Sequence, residues 1–191
     1  MSEASSSQSF FETKYRDAVD PWNIASSTSE LGRYETTIRA LGARRFARAF
    51  EPGCSIGVLT QRLAKICNRV KGMDISPTAV RQSQERCRSY PNVTISQGVL
   101  PETIPRSDFD LIVFSEIGYY FDPLVLREIG AQLAERLTIG GVFLAVHWLG
   151  GSTDHRLTGD QVHELLNAIP GLQPMESQRH QGFRLERWAR V

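Results

Sequence analysis

The sequence predicts an α/β fold, an open and mostly parallel sheet with helices on both faces. From residue 30 onward, helix-period segments alternate with strand-like ones, the pattern of repeated strand–helix crossovers. "FDLIVFSE" (109–116) is an apolar run flanked by acids, as a strand buried on both faces requires. "FEPGCSIGVLTQRLA" (50–64) sets glycines between a strand end and a helix start. Open α/β sheets bind their ligands there, at the carboxyl ends of the strands.

The elements follow in order. "SELGRYETTIRALG" (29–42) puts Leu31, Tyr34, Ile38 and Leu41 on one helical face, and Gly42 can end it. Residues 45–51 read as a short first strand that stops at the Pro52-Gly53 turn. "VLTQRLAKIC" (58–67) is helical, with Leu59, Leu63 and Ile66 on one side. "RVKGMDIS" (69–76) is a second strand ending near Asp74. "SPTAVRQSQERCRSY" (76–90) is a helix that Ser76 caps and Pro77 opens. "NVTISQG" (92–98) alternates as a third strand, and "FDLIVFSE" is the fourth. "LVLREIGAQLAERLTIGG" (124–141) reads as one helix ended by Gly140 and Gly141, with "VFLAVHW" (142–148) as the fifth strand. "LTGDQVHELLNAI" (157–169) is a helix with Thr158 and Gln161 in capping-box spacing. Closing strands are expected near Leu172 to Arg179 and Arg184 to Ala189.

The bulk numbers bound the partners. The chain has 191 residues, enough for one buried core, with 41% hydrophobic and 23% charged residues. A net charge of +1 sets up no global field toward nucleic acid or an anionic membrane. No apolar run reaches the roughly 18 residues of a membrane span. The three cysteines, Cys54, Cys67 and Cys87, form no disulfide or zinc pattern. Their odd count fits a reducing compartment, so the expected location is cytoplasmic. No metal-ligand spacing is visible, and no metal is expected. The serine-rich start reads as part of a flexible tail over residues 1–19. Residues 20–191 are expected to form a single domain, in which 20–44 make a helical cap.

The loop "EPGCSIG" alone reads equally as a tight turn or as a cradle for another molecule. Asp74 lies about 20 residues on, at the next strand end, where a carboxylate grips a ribose diol. Together they point to a nucleoside cofactor. A dinucleotide fingerprint would read G-x-G-x-x-G. Here Ser55 stands between Gly53 and Gly57, and Leu59-Thr60 follow where a close-packing glycine belongs. Glu51 just before the loop would repel a pyrophosphate and suits a cation. S-adenosyl-L-methionine, with its ammonium and sulfonium, fits better than a nicotinamide dinucleotide.

In this order, "FEPGCSIG", "GMDIS", "FDLIVFSEIGYYF" and "LTIGGVFL" resemble the motifs of class I S-adenosylmethionine-dependent methyltransferases. The resemblance covers about residues 20–190. "DPW" (20–22), "E-x-x-R-Y" (30–34), "GCSIGVLTQRLA" and "SEIGYYF" resemble the rhizobial nodulation N-methyltransferases, the NodS-like group. The resemblance implies a Rossmann-like, seven-stranded, mostly parallel sheet with an antiparallel C-terminal strand. It implies N-methylation of a free amine on a small-molecule acceptor, an amino sugar or sugar-like amine. The chain departs from the wider family at Ser55, at Val99, where many relatives carry an adenine-binding aspartate, and at Ile139, where proline is usual.

By the same resemblance, Gly53, Cys54, Ser55 and Gly57 line the methionine end, and Glu51 faces its positive charge. Asp74 binds the ribose, Ile75 packs beside the adenine and Leu100 covers it; at Val99 the adenine-amine contact comes from a backbone group or is missing. Ser115 sits near the methyl group. Trp22 closes the site, packs the N-terminal segment, or does both, and Arg33 pairs with the cofactor carboxylate or stands as a surface charge. Glu116 accepts or orients the amine, or stands as a surface or helix-capping carboxylate. Tyr119 and Tyr120 aim hydroxyls at the acceptor or only pack. His147, at the end of the fifth strand, is the second candidate base. Trp148 beside it can stack on a sugar. The stretch from residue 149 to 158 is either a lid over the acceptor or an ordinary loop. His163 and His180 read as surface groups. An O-methyltransferase using His147 as base remains open, as does a non-catalytic cofactor-binding protein. Base-flipping nucleic-acid methylation would need an N-P-P-Y-type motif, and the chain has "SEIG" there.

Overall fold

The computed structural model describes residues 7–191. They fall into two compact units, one ending at Gly98 and the other beginning at Val99. In the first unit, α1 (Gln8–Asp17) and α2 (Thr28–Ala40) precede β1 (Phe46–Pro52) and α3 (Val58–Ile66). Then come β2 (Cys67–Asp74), α4 (Pro77–Cys87) and β3 (Val93–Gln97). The second unit begins with β4 (Phe109–Ser115), a short 3-10 helix (Gly118–Tyr120), α5 (Pro123–Glu135) and β5 (Leu137–Trp148). It ends with α6 (Gly159–Asn167), β6 (Leu172–Arg179) and β7 (Phe183–Arg190). The seven strands follow the order β3-β2-β1-β4-β5-β7-β6. β1, β2 and β3 run parallel, as do β4 and β5, whereas β7 is antiparallel to both β5 and β6. This is the expected seven-stranded, mostly parallel sheet with an antiparallel C-terminal strand.

Capping chemistry sets several helix starts. Ser76 accepts the Ala79 N–H at 3.1 Å with Pro77 at the first position of α4. Thr158 and Gln161 form the reciprocal capping box of α6. In the second unit, Leu111 to Phe114 of β4 and Phe143 to Val146 of β5 are fully buried. Each of the larger side chains in these runs contributes about 1.5–3 kcal/mol by leaving water, which is why the runs show no alternation.

Two expectations are corrected. The tail over residues 1–19 is not flexible throughout: α1 occupies Gln8–Asp17 and packs on α4. Residues 1–6 of that tail lie outside the described residues. The helix expected to reach Gly140-Gly141 ends at Glu135, and both glycines belong to β5. Leu137 is buried opposite Phe109, so sheet pairing overrides the helical pattern there. The excess residues bulge outward, because β5 advances from Leu137 to Val142 while β4 advances only from Phe109 to Leu111. Gly140, at φ 74°, takes the left-handed turn in that bulge.

The parallel register positions the glycine loop. Pro52 pairs with Met73, so β1 and β2 end level. The Met73 carbonyl accepts N–H donors from both Gly53 (2.7 Å) and Cys54 (2.9 Å), which folds the loop back toward Asp74.

Candidate functional site

The first unit carries a glycine loop walled by acids. Gly53 (φ 72°), Ser55 (φ 50°) and Gly57 (φ 81°) all adopt left-handed backbone. Such a run turns tightly and aims N–H groups inward. The Ser55 N–H donates to Asp74 Oδ2 at 2.8 Å, and the Ser76 N–H donates to Asp74 Oδ1 at 3.0 Å. Asp74 is thus held by backbone N–H donors on both oxygens, with the Ile75 N–H adding a third. Burial pushes its carboxyl up to about 6, against the lowering effect of these backbone bonds. Glu51 is also buried and accepts the Thr60 hydroxyl at 2.6 Å. Burial lifts Glu51 to about 8, with the Thr60 bond opposing and the Asp74 charge adding to the rise. Thr60 stands where a dinucleotide fingerprint would carry a close-packing glycine, and it serves as the donor to Glu51. Gly57 takes the packing role: a Cβ there would lie 2.5 Å from Ser83 Oγ of α4.

Ser55, the odd residue of the loop, has a specific partner. The Tyr15 hydroxyl of α1 donates to Ser55 Oγ at 2.5 Å. Glu12, one turn earlier, accepts from Ser76 Oγ (2.7 Å), Thr78 N–H (3.1 Å) and Thr78 Oγ1 (2.6 Å). It therefore sits at the N-terminus of α4, where a carboxylate is favoured. Burial alone would raise the Glu12 carboxyl, but the Thr78 and Ser76 bonds outweigh it and the net shift is downward. Neither residue was foreseen. The available signal was the i, i+4 spacing of Phe11 and Tyr15 inside a stretch that otherwise reads as polar.

The other expected cofactor residues divide. The Cys54 side chain is buried in an apolar cluster with Val80, Cys87 and Ile95, and its N–H donates to the Met73 carbonyl. Ile75 is half-buried directly after Asp74. Trp22 packs edge-on against Tyr15, with centroids 5.4 Å apart, and keeps 37% of its surface exposed. Asp20 of the same "DPW" segment accepts the N–H groups of Ile24 and Ala25 and fixes the turn. Arg33 is buried and ion-paired with Glu30, which excludes the surface-charge reading.

The second unit carries the remaining candidates. Val99 is partly exposed, and its N–H donates to Thr103 Oγ1 at 2.7 Å. Leu100 is buried. Ser115 ends β4, and Glu116 follows with φ 61°, a strained value for a residue with a side chain. The Glu116 carboxylate is held at both oxygens: Trp148 N–H donates to Oε1 and Tyr119 Oη to Oε2, each at 2.7 Å. Tyr119 stacks on His155 at 3.7 Å, and the Tyr119 carbonyl accepts N–H groups from Arg156 and Leu157. Arg156 also pairs with Asp122 at 2.7 Å. The stretch after β5 is thereby tied to the Tyr119 segment. Tyr120 is buried beside them, and burial pushes its hydroxyl well above the ordinary tyrosine range, with Glu116 and Asp154 adding to the rise.

His147 is not placed as a base. It is fully buried, its Nε2 lies 3.0 Å from the Gly118 N–H and its Nδ1 lies 3.2 Å from His163 Nε2. His163, expected at the surface, is fully buried as well and bonds Glu186 at 2.7 Å. The apolar stripe of α6 was legible. What was not legible is that His163 lies within that stripe, because β7 supplies the carboxylate that makes its burial tolerable. His180 lies in the β6–β7 turn, stacked on Phe183.

A family model described as Nodulation protein S (NodS) matches residues 5–139. Nodulation protein S of Bradyrhizobium diazoefficiens is 31% identical over 128 residues, 63% of this chain and 60% of that protein. Nodulation protein S of Sinorhizobium fredii is 28% identical over 106 residues, 55% of this chain and 49% of that one. The chain thus spans between about half and three-fifths of the curated relatives it matches. A putative methyltransferase from Pseudomonas syringae superposes with a TM-score of 0.76 at 32% identity, over 86% of this chain and 100% of that one. N-methyltransferase NodS from Bradyrhizobium japonicum WM9, in complex with S-adenosyl-L-homocysteine, gives a TM-score of 0.85 at 22% identity, over 98% and 99% of the two chains. At that identity the likeness speaks for the fold, which is that of class I methyltransferases. With most of its length matched by the family model, this chain belongs to the NodS family.

Proposed function

We propose that this protein is an S-adenosylmethionine-dependent methyltransferase that N-methylates a free amine on a small, sugar-like acceptor. One observation carries the cofactor reading. Two buried carboxylates, Glu51 and Asp74, flank a left-handed glycine loop, and burial raises both above their ordinary range. Acids so placed lack positive charge, and a cationic nucleoside supplies it. Asp74 is a carboxylate held in place by backbone N–H donors, the acceptor a ribose diol needs, and the glycines at 53 and 57 keep side chains off the approach. The residues present therefore fit S-adenosylmethionine. Bound, it supplies a methyl group already activated on a positively charged sulfur.

The chain's own work is then alignment and proton handling. An amine must be neutral to attack and must lose a proton overall. Glu116 is the group proposed to take or share that proton. Its two oxygens are oriented by the Tyr119 hydroxyl and the Trp148 N–H, and an ionised carboxylate only accepts, as an ammonium N–H requires. Orientation before the acceptor arrives is what lowers the cost of using a flexible glutamate. Tyr119 and Tyr120 shape the surroundings. His147 does not serve as base in this reading, which disfavours an O-methyltransferase that depends on it. Family membership supports an amino-sugar acceptor such as a chitosan oligomer with a free amine. The three free, buried cysteines suit a reducing compartment such as the cytoplasm.

The test is formation of S-adenosylhomocysteine from S-adenosylmethionine with glucosamine, chitosan oligomers and hydroxyl-bearing controls. Turnover on the amines that falls at least tenfold in Glu116→Gln supports the reading. Turnover only on hydroxyl acceptors refutes the amine assignment. Tight S-adenosylmethionine binding without turnover on either class points to a non-catalytic binding protein.

A further inference from the structure

Behind the Glu116 segment lies a buried polar chain that the proposed chemistry does not use. His147 at the end of β5 and His163 on α6 are fully buried, and Glu186 on β7 nearly so. One backbone N–H fixes every proton along it. The Gly118 N–H can only donate, so His147 Nε2 must accept and the ring must carry its proton on Nδ1. That Nδ1–H can only donate to His163 Nε2, so His163 must in turn be protonated on Nδ1. The His163 Nδ1–H then donates to Glu186 Oε2. Glu186 Oε1 accepts from Ser177 Oγ at 2.6 Å and from Arg184 at 2.7 Å, so the chain ends on a carboxylate. Both rings are neutral and each has a single permitted tautomer.

The other end of the chain is the acceptor segment. Gly118 lies between Glu116 and Tyr119, the two residues joined by the 2.7 Å bond. The fit around Gly118 is tight, since a Cβ there would lie 2.5 Å from Val162 Cγ1 and 2.8 Å from His147 Nε2. The backbone meets the histidine two residues after Glu116 departs from ordinary φ. We propose that His147, His163 and Glu186 are positioning residues: their chain fixes the Gly118 amide and so aims the Glu116 carboxylate and the Tyr119 hydroxyl. This inference rests on the proposed role of Glu116, and its test is separable from that role.

The test begins with the full wild-type chain labelled with nitrogen-15, whose imidazole signals report tautomers directly. Both His147 and His163 should appear neutral, protonated on Nδ1 and slow to exchange. A protonated ring, or His147 protonated on Nε2, overturns the proposal whatever the variants do. Two variants follow. In His163→Gln the side-chain oxygen accepts from His147 and the amide donates to Glu186, so the chain survives. In His163→Leu it is cut. Hydrogen exchange at the Gly118 and Trp148 amides, the latter bonded to Glu116, should quicken roughly tenfold in His163→Leu and little in His163→Gln. Amides of β1 to β3 should be unaffected in both. On amine acceptors kcat should fall roughly tenfold in His163→Leu, with S-adenosylhomocysteine affinity unchanged and kcat restored by His163→Gln. Unchanged exchange at Trp148 in His163→Leu overturns the positioning role. A wild type inactive on all amines overturns the functional reading while the tautomer and exchange results judge the chain.

Discussion

Glu51→Gln is expected to stabilise the ligand-free protein near neutral pH. Glu51 is buried and takes a hydrogen bond from Thr60, which glutamine's carbonyl oxygen can also accept. Burial raises the Glu51 carboxyl from 4.5 to about 8. The folded protein thus holds this proton more tightly than the unfolded chain does. The resulting stability is fully present below pH 4.5 and is lost as pH rises through about 8. Between pH 4.5 and neutrality, at ~1.36 kcal/mol per pH unit, the loss is about 3 kcal/mol. Glutamine does not titrate. Asp74 titrates in both proteins, so the difference between them isolates Glu51. Urea unfolding at a series of pH values from acid to neutral should show the variant's advantage growing by about 3 kcal/mol. An advantage that is flat, or that shrinks as pH rises, refutes the argument that Glu51 is an unpaired buried acid. The same variant should lose roughly tenfold in affinity for cationic S-adenosylmethionine. Its affinity for S-adenosylhomocysteine should also fall, though less, because that product keeps the amino-acid ammonium and lacks only the sulfonium charge.

Asp74→Asn turns one acceptor oxygen into a donor facing a backbone N–H, either that of Ser55 or that of Ser76. Calorimetry should show S-adenosylhomocysteine binding weakened roughly tenfold or more, and unchanged affinity would mean that the ribose lies elsewhere. Gly57→Ala forces a side chain into φ 81° and against Ser83 Oγ at 2.5 Å. Thermal unfolding should report a loss of about 1–3 kcal/mol, part of it recovered by adding Ser83→Gly. Tyr15→Phe removes the bond to Ser55 Oγ without changing the packing on Trp22. Limited proteolysis should find α1 cut faster, consistent with about 1 kcal/mol less local stability, and an unchanged rate would show that Glu12 alone holds the helix.

Much of the fold was legible because it is written in local chemistry. The run Leu111 to Phe114 is uniformly apolar since both of its faces are covered. Ser76 with Pro77, and Thr158 with Gln161, announce their helices through the orphan N–H groups they satisfy. The cofactor loop was legible for the same reason: glycines at left-handed positions and an acid at the next strand end are short-range requirements. The errors fall where distant partners decide. The segment after Glu135 has a helical pattern, but Leu137 pairs with Phe109, and the strand prevails. Residues 8–17 look polar, yet α1 forms because Glu12 and Tyr15 find partners in Ser76, Thr78 and Ser55.

By itself, then, the sequence determined the sheet, the glycine loop, Asp74, and Glu116 at the end of its strand, all features set by periodicity, caps and turn geometry. Tertiary structure alone decided the state of the ionisable groups. His147 and His163 look like ordinary polar residues in the chain, and Glu186 like an exposed strand charge. Brought together by β5, α6 and β7, they become a buried chain with one allowed arrangement of protons. A side chain's charge and its donor or acceptor role depend on what surrounds it within a few ångströms. For these three residues those neighbours come from elements 16 to 39 positions apart in the chain.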